Sequence, residues 1–487
     1  MVNICCLTLV FVLNIVAGSC LDPSQSSHCY SHQYSNPLRF YGTKTTYTVA
    51  KATLDSSQPI DHNWYSIPKC KPIMFYFIGR HAIRYPDGDD ITEMSRVLGK
   101  LQQQIVNASA LGLTQLCEQD LQSIHNWKLN MNETDDNRIS DTGIVETRAI
   151  AKDFKLRYPT LLDPTKTMID IGVTTKVRTL QTADAFLQEI TSDSKPIEQT
   201  SEEDYSESAS DSASGESADI LSEVTKSEKD LLYFHDTCED LLLEQGVRLE
   251  KPKRVKDLRK STSMQAIIKR VNDRLGFGAG NEIDAKVLRH IVRACYFEFA
   301  IFGQNSGWCS LLGNDEIKIL EYLDDIEDYY EDAYGRNINS KQTCPLIGDL
   351  FAKVKQSVKS SKDTKTYLQF THAGVMKRLY SGLGLFDVLH DNIDFKSDES
   401  VCLNDGRNWK SSLICPFNAN FAAVLYKCKD DKKNVDKKYG KYKLLTLVQE
   451  KPVVIKGCDS YLCSVDKFIE SYQQMSSNCD LKEICKI

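Results

Sequence analysis

Residues 72–90 read Pro-Ile-Met-Phe-Tyr-Phe-Ile-Gly, then Arg-His-Ala-Ile-Arg-Tyr-Pro, then Asp-Gly-Asp-Asp. From Ile73 to Ile78 the run is continuously apolar and rich in aromatic and β-branched side chains. A strand covered on both faces reads this way, because neither face has to meet water. Gly79 ends the run, and Arg80, His81 and Arg84 follow it. Open α/β sheets hold their ligands at the carboxyl ends of strands, where this cluster is expected to sit. A guanidinium offers a planar fork that matches phosphate oxygens. An imidazole between two such cations is held mostly neutral, so one ring nitrogen keeps a lone pair for nucleophilic attack.

An Arg-His pair alone is common on protein surfaces. Its weight here comes from two further stretches. Residues 367–371, Tyr-Leu-Gln-Phe-Thr, predict a strand with His372-Ala373-Gly374 at its end, and Gly382 and Gly384 close the helix that follows. Residues 167–174 predict another strand; Arg178 follows, and 179–190 has helical spacing at Leu180, Ala183, Phe186, Leu187 and Ile190. An arginine between a strand end and a helix start is placed to hold a phosphate near free helical N–H groups. Two histidines and three arginines over one sheet edge predict a phosphoryl pocket. No Gly-x-Ser-x-Gly elbow, Walker loop or dinucleotide fingerprint competes with it.

Around these strands, residues 91–113 and 142–162 read as helices, and 29–70 is polar and irregular, with Tyr41-Gly42-Thr43-Lys44-Thr45 expected as a loop near the site. Residues 192–227 are acidic, serine-rich and poor in apolar side chains, the signature of a disordered loop. Residues 229–339 are largely helical, with helices expected over 231–244, 264–275, 283–302 and 315–334. The last of these carries Ile317, Leu320, Leu323, Ile326 and Tyr330 on one face and a strongly acidic opposite face. This block reads as a helical cap inserted into an α/β domain whose sheet resumes from residue 353.

At 487 residues and 41% hydrophobic content the chain buries a substantial core. A net charge of −7 argues against a nucleic-acid partner, so any polyanion site must be a local basic pocket. Residues 4–16 are apolar and lead to Ala17, Gly18 and Ser19, which reads as a secretory signal cleaved after Ser19 or Cys20, although the usual positive start is missing. The run is too short to span a membrane, and no later run is long enough to be a transmembrane helix. Fourteen of 17 cysteines lie from Cys29 to Cys485, an even set that reads as disulfides in an exported chain. Without Cys-x-x-Cys knuckles, zinc is disfavoured. Asn107 and Asn132 stand in glycosylation sequons.

These residues together resemble the histidine phosphatase superfamily, in its acid phosphatase and phytase branch, and most closely the multiple inositol polyphosphate phosphatases. That family carries Arg-His-Gly-x-Arg-x-Pro early and His-Ala-Glu late, and both frames are present here. The likeness extends through Tyr41-Gly42-Thr43-Lys44-Thr45, Ala183-Asp184-Ala185-Phe186, Trp308-Cys309, Glu321-Tyr322-Leu323, Pro416-Phe417-Asn418-Ala419-Asn420 and Gly457-Cys458. It implies a phosphoglycerate-mutase-like α/β sandwich with an inserted, mainly helical cap domain. The expected division is a signal over 1–20, a discontinuous α/β domain over 21–190 and 350–470, the acidic loop, a cap over 229–345 and a cysteine-containing tail over 471–487.

The resemblance makes His81 the nucleophile that becomes a phosphohistidine. Arg80, Arg84, Arg178 and His372 would hold the phosphoryl oxygens, with no metal or other cofactor. The implied partner is a small phosphorylated substrate, an inositol polyphosphate or a bisphosphoglycerate, met in a secreted or lysosome-like setting; oligomeric state stays open. Three positions depart from the family. Ala82 replaces its glycine, Gly374 replaces the acid that protonates the leaving alkoxide, and the loop after Pro86 offers Asp87, Asp89 and Asp90 where relatives offer a base. These aspartates are candidate substitute acids. The main expectation is a phosphomonoesterase. The alternative is a phosphate-ester-binding chain with weak or no turnover, and a mutase-like transferase is disfavoured by the secretory signs.

Overall fold

The computed structural model describes residues 37–57, 64–192, 225–226, 229–249, 253–360, 363–387, 407–429 and 439–486. The N-terminal apolar segment and nearly all of the acidic 192–227 stretch lie outside the described residues.

Strand β1 (Cys70–Arg80) occupies the centre of the sheet, and its last eight residues are all buried. The chain returns to its two sides. β4 (Lys365–Thr371) runs parallel to it on one side, and β5 (Asn420–Cys428) antiparallel on the other. β2 (Met168–Val173) and β3 (Thr225–Lys226) extend the parallel half; β6 (Tyr442–Val448) and β7 (Lys451–Pro452) extend the antiparallel half, with β8 (Leu462–Ser464) also paired to β6. No motif marks β5 or β6 in the sequence. β5 is nonetheless continuously apolar from Phe421 to Tyr426, and β6 is apolar apart from Lys443 and Thr446, since both faces of the sheet are covered.

Alternation along β1 separates two cores. Phe75 and Phe77 project into one with Phe154, Tyr158 and Phe186. Met74, Tyr76 and Ile78 project into the other with Leu350, Val354 and Tyr380. The helices between β3 and β4 form a third core around Ile267, Val271, Ile291 and Trp308, which also takes in Met94, Leu98 and Leu101 of the Gly88–Ala110 helix. The helix that follows the turn after β1 is thus packed into the core of the helical block.

Two expectations need correction. Residues 353–358 do not open the return of the sheet; they close the Cys344–Lys359 helix, which buries Leu346, Ile347, Leu350, Phe351 and Val354 at helical spacing. The helix expected over 231–244 breaks at Tyr233 into Lys229–Leu232 and Phe234–Glu244. In the Asn314–Asp332 helix the acidic face is buried as well as the apolar one. Arg274 pairs there with Glu316 (2.6 Å), Arg407 with Glu321 and Asp325, and Lys377 with Asp328 (2.5 Å). Buried carboxylates survive because each meets a cation from a neighbouring element.

Disulfides join Cys70–Cys428, Cys238–Cys485, Cys295–Cys309, Cys344–Cys479 and Cys458–Cys463, the first tying β1 to β5. Cys415 is a buried free thiol. Among the described residues no helix is long and apolar enough to cross a membrane.

Candidate active site

Parallel pairing sets the first geometry. Arg80 is in register with Thr371, so His81 and His372 leave adjacent strand ends together, with ring centres 5.7 Å apart. The His81 ring is buried and its Nδ1 lies 2.9 Å from the Ala82 carbonyl. A carbonyl only accepts, so Nδ1 carries the proton and Nε2 keeps its lone pair. Burial, followed by the charges of Arg80 and Arg84, holds the His81 pKa well below the ordinary imidazole value. The nucleophile-capable form is therefore the resting form.

The arginines are fixed from behind. Arg80 Nη1 donates to the carbonyls of Thr43 (2.6 Å) and Cys415 (2.9 Å), and its guanidinium lies 4.6 Å from the centre of the Phe417 ring. Arg84 Nη1 donates to the Tyr85 carbonyl at 2.8 Å. Arg178 is the second residue of the Val177–Thr191 helix and donates from Nη1 to Asn137 at 3.2 Å. Arg80 Nε, Arg178 Nε and His372 Nδ1 are buried and find no hydrogen-bond partner among the described residues. Unpaired buried polar nitrogens are costly, and an oxyanion would satisfy the two guanidinium N–H groups.

His372 has an assignable tautomer. Thr179 donates its single hydroxyl proton to the Lys176 carbonyl (2.7 Å), so it accepts in its 2.7 Å contact with Thr174. The Thr174 hydroxyl proton is thereby committed, and its oxygen accepts from His372 Nε2 at 3.0 Å. His372 Nδ1 is left facing the pocket. Burial, then Arg178 and His235, push its pKa down to about 3.

The sequence model of the histidine phosphatase superfamily (branch 2) matches residues 74–442. The chain belongs to this superfamily. It is 27% identical over 473 residues to multiple inositol polyphosphate phosphatase 1 of Drosophila melanogaster, covering 93% of this chain and 89% of that one. The human protein of the same name is 24% identical over 458 residues, covering 92% and 89%. Among solved structures, the phytase from D. castellii superposes with a TM-score of 0.66 at 16% identity, over 95% of this chain and 90% of that one. The multiple inositol polyphosphate phosphatase of Bifidobacterium longum, in complex with inositol hexasulfate, gives 0.56 at 14% identity, over 86% and 94%. The fold is that of the phytase-type histidine phosphatases.

Within this histidine phosphatase the departures from the family pattern have visible consequences. Ala82 is fully buried, and its N–H donates to Thr182 Oγ1 at 3.0 Å. Gly143 makes room for it: a Cβ at 143 would lie 2.6 Å from the Ile83 carbonyl oxygen and 3.2 Å from Ala82 Cβ. Gly374 is the second residue of the Ala373–Gly382 helix. The space that its side chain would take is bordered by Arg378 and Asp332, which are ion-paired at 2.5 Å.

The loop aspartates are engaged or turned away. Asp87 lies 3.8 Å from Arg84 and accepts from Asn137. Its burial raises its pKa, but Arg84 and Asn137 outweigh this and hold it below the carboxylate range. Asp90 pairs with Arg293, and Asp89 is exposed. The rim is less acidic than its sequence suggests, because Arg84 and Arg293 neutralise two of its three carboxylates.

Two further residues border the site. The Tyr233 ring lies 5.6 Å from His372, placed there by the helix break, and Phe417 lies 6.2 Å from His81. Phe417 lies in the Pro416–Asn420 stretch that carries the resemblance, whereas Tyr233 has no local signal, since an aromatic residue in an apolar stretch reads as core. Asn107 and Asn132, the candidate glycan acceptors, are both exposed.

Proposed function

We propose that the chain hydrolyses phosphate monoesters through a phosphohistidine on His81. The observation that carries this is the bond from His81 Nδ1 to the Ala82 carbonyl, which leaves Nε2 as the nucleophile beside three unpartnered nitrogens. His81 Nε2 attacks phosphorus, the P–O bond to the leaving group breaks, and its electron pair stays on that oxygen. Arg80, Arg84 and Arg178 hold the equatorial oxygens and stabilise the charge as it redistributes. A bound oxyanion draws a proton onto His372 Nδ1, making it a further donor. Water then cleaves the N–P bond, returning His81 and releasing phosphate.

The leaving oxygen needs a proton when it is a basic alkoxide, and no side chain at 374 supplies one. Alkyl esters such as inositol phosphates or bisphosphoglycerate therefore react slowly, and aryl phosphates, which leave as weakly basic phenolates, react better. The ion pair across the Gly374 gap favours a second reading, a phosphate-ester-binding chain with weak turnover. Export, with glycan at Asn107 or Asn132, fits the disulfides.

Purified protein assayed on aryl, alkyl and inositol phosphates at acid and neutral pH tests both readings. Turnover of the aryl ester that is lost in His81→Ala supports the hydrolase. Phosphate binding without turnover on any ester supports the second reading.

A further inference from the structure

The arginines of the site are not equally fixed. The carbonyls of Thr43 and Cys415 hold Arg80, and the Tyr85 carbonyl holds Arg84. Among the described residues the Arg178 guanidinium has a single hydrogen-bond partner, the Asn137 side chain at 3.2 Å. Asn137 is also clasped to the segment that follows His81. Its N–H donates to the Pro86 carbonyl at 3.2 Å, the Tyr85 N–H donates to the Arg138 carbonyl at 2.9 Å, and Arg84 forms an antiparallel bridge with Ile139. One residue therefore joins the turn after the nucleophile to the helix that carries Arg178.

The chemistry of that position is narrow. A guanidinium only donates, so Asn137 Oδ1 faces Arg178; a carboxylate only accepts, so Nδ2 faces Asp87 and Asp136. A lysine here could not accept from Arg178, and a carboxylate could not donate to Asp87. The backbone adds its own condition. Asn137 has φ +57°, a left-handed value that asparagine and glycine tolerate and most side chains do not. Asp87 in turn lies 3.8 Å from Arg84, so a chain of contacts runs from Arg84 through Asp87 and Asn137 to Arg178. It works against repulsion: burial, then the charge of Arg84, lower the Arg178 pKa, as expected of two like charges held close together.

We propose that Asn137 is a positioning residue whose amide holds Arg178 at the distance from Arg84 at which both guanidiniums meet one phosphoryl group. The inference rests on the reading of the pocket as a phosphoryl site and adds a residue that acts through Arg178 rather than on the ester. With Nη1 anchored by the amide, Arg178 Nε stays open to an oxyanion. An unanchored arginine would spread over many rotamers and lose that preorganisation.

The test is a double-mutant cycle. Asn137→Gly removes the amide and keeps the left-handed backbone accessible. Binding of inorganic phosphate by calorimetry, kcat and KM on an aryl phosphate, and melting temperature are measured on the wild type, Asn137→Gly, Arg178→Ala and the double variant. One such hydrogen bond is worth about threefold to tenfold. Asn137→Gly is expected to weaken phosphate binding and lower kcat/KM by about that factor, but only while Arg178 is present. In the Arg178→Ala background the same change should cost less than about twofold, the margin within which independent sites add. A general loss of stability would appear in both backgrounds, so the comparison holds even if the melting temperature falls. Equal losses in both backgrounds would make Asn137 a support of the loop alone and overturn the proposal. So would Asn137→Gly with wild-type phosphate affinity and kcat/KM, a result that leaves the phosphoryl reading standing. A wild type that neither binds phosphate nor turns over the aryl ester would remove that reading and the proposal with it.

Discussion

The Asp332 carboxylate lies where a side chain on Gly374 would go, its two oxygens 3.4 and 3.5 Å from the position of a Cβ at 374. The negative charge of the family's acid is thus present, but it comes from the facing helix. It has no proton to give. Burial would raise its pKa, yet contacts to Lys377 (2.6 Å) and Arg378 (2.5 Å) overcome that and hold it down to about 2.

Reinstalling the acid accordingly takes two changes. Glu in Gly374→Glu meets Arg378 Nη1, 2.8 Å from its Cβ, and would be held ionised by it. Gly374→Glu alone should therefore gain little on alkyl phosphates. Adding Arg378→Leu removes the clash and the cation, and the neighbouring Asp332 then raises the new carboxyl's pKa. A positioned general acid contributes about 10²–10⁴ in rate. The double variant should recover about a hundredfold of that in kcat/KM for alkyl esters, with far less change for aryl esters. Parallel gains on both ester classes would show that protonation of the leaving group is not what is missing.

Loss of the nucleophile should be complete. His81→Ala is expected to remove turnover on every ester, and an acid-labile phosphoenzyme should be trapped in the wild type only. Arg178→Ala should instead raise KM and lower kcat together, because in the proposed mechanism its guanidinium would meet the phosphoryl group in both ground and transition states. A phosphoenzyme that survives in His81→Ala would move the chemistry to another residue.

Acid pH should spare the nucleophile. The folded-state pKa of His81 lies well below 6.5, so the neutral, attacking form persists as pH falls past the point where a free imidazole protonates. The acid limb of kcat/KM for an aryl phosphate should therefore fall well below pH 6.5. A limb centred near 6.5 would mean that His81 titrates as though it were in solvent.

Gly143 should not tolerate a side chain. In an exposed helix Gly→Ala gains about 1 kcal/mol from propensity. Here the added Cβ meets the Ile83 backbone at 2.6 and 3.0 Å, and overpacking against a rigid backbone costs about 1–3 kcal/mol. The clash wins, and it pushes on the turn that carries His81. Gly143→Ala should lower both the melting temperature and kcat/KM on aryl phosphate. A rise in melting temperature with unchanged kinetics would count against this packing.

Local sequence chemistry determined the parts of the site that depend on strand ends. A continuous apolar run must be a covered strand, the sheet must offer its carboxyl edge, and Arg80, His81, Arg84, Arg178 and His372 stand at or just after such ends. That the two histidines belong together followed from the same argument, and the β1–β4 register makes them neighbours. Only the tertiary structure decided which charges remain available. The acidic stripe of the Asn314–Asp332 helix is plain in sequence but its partners are not: Arg274, Arg407, Lys377 and Arg378 arrive from distant positions to pair with it. The same long-range pairing ties Asp90 to Arg293 and fills the space beside Gly374. Ion pairing depends on proximity between residues far apart in the chain, and local spacing carries no record of it.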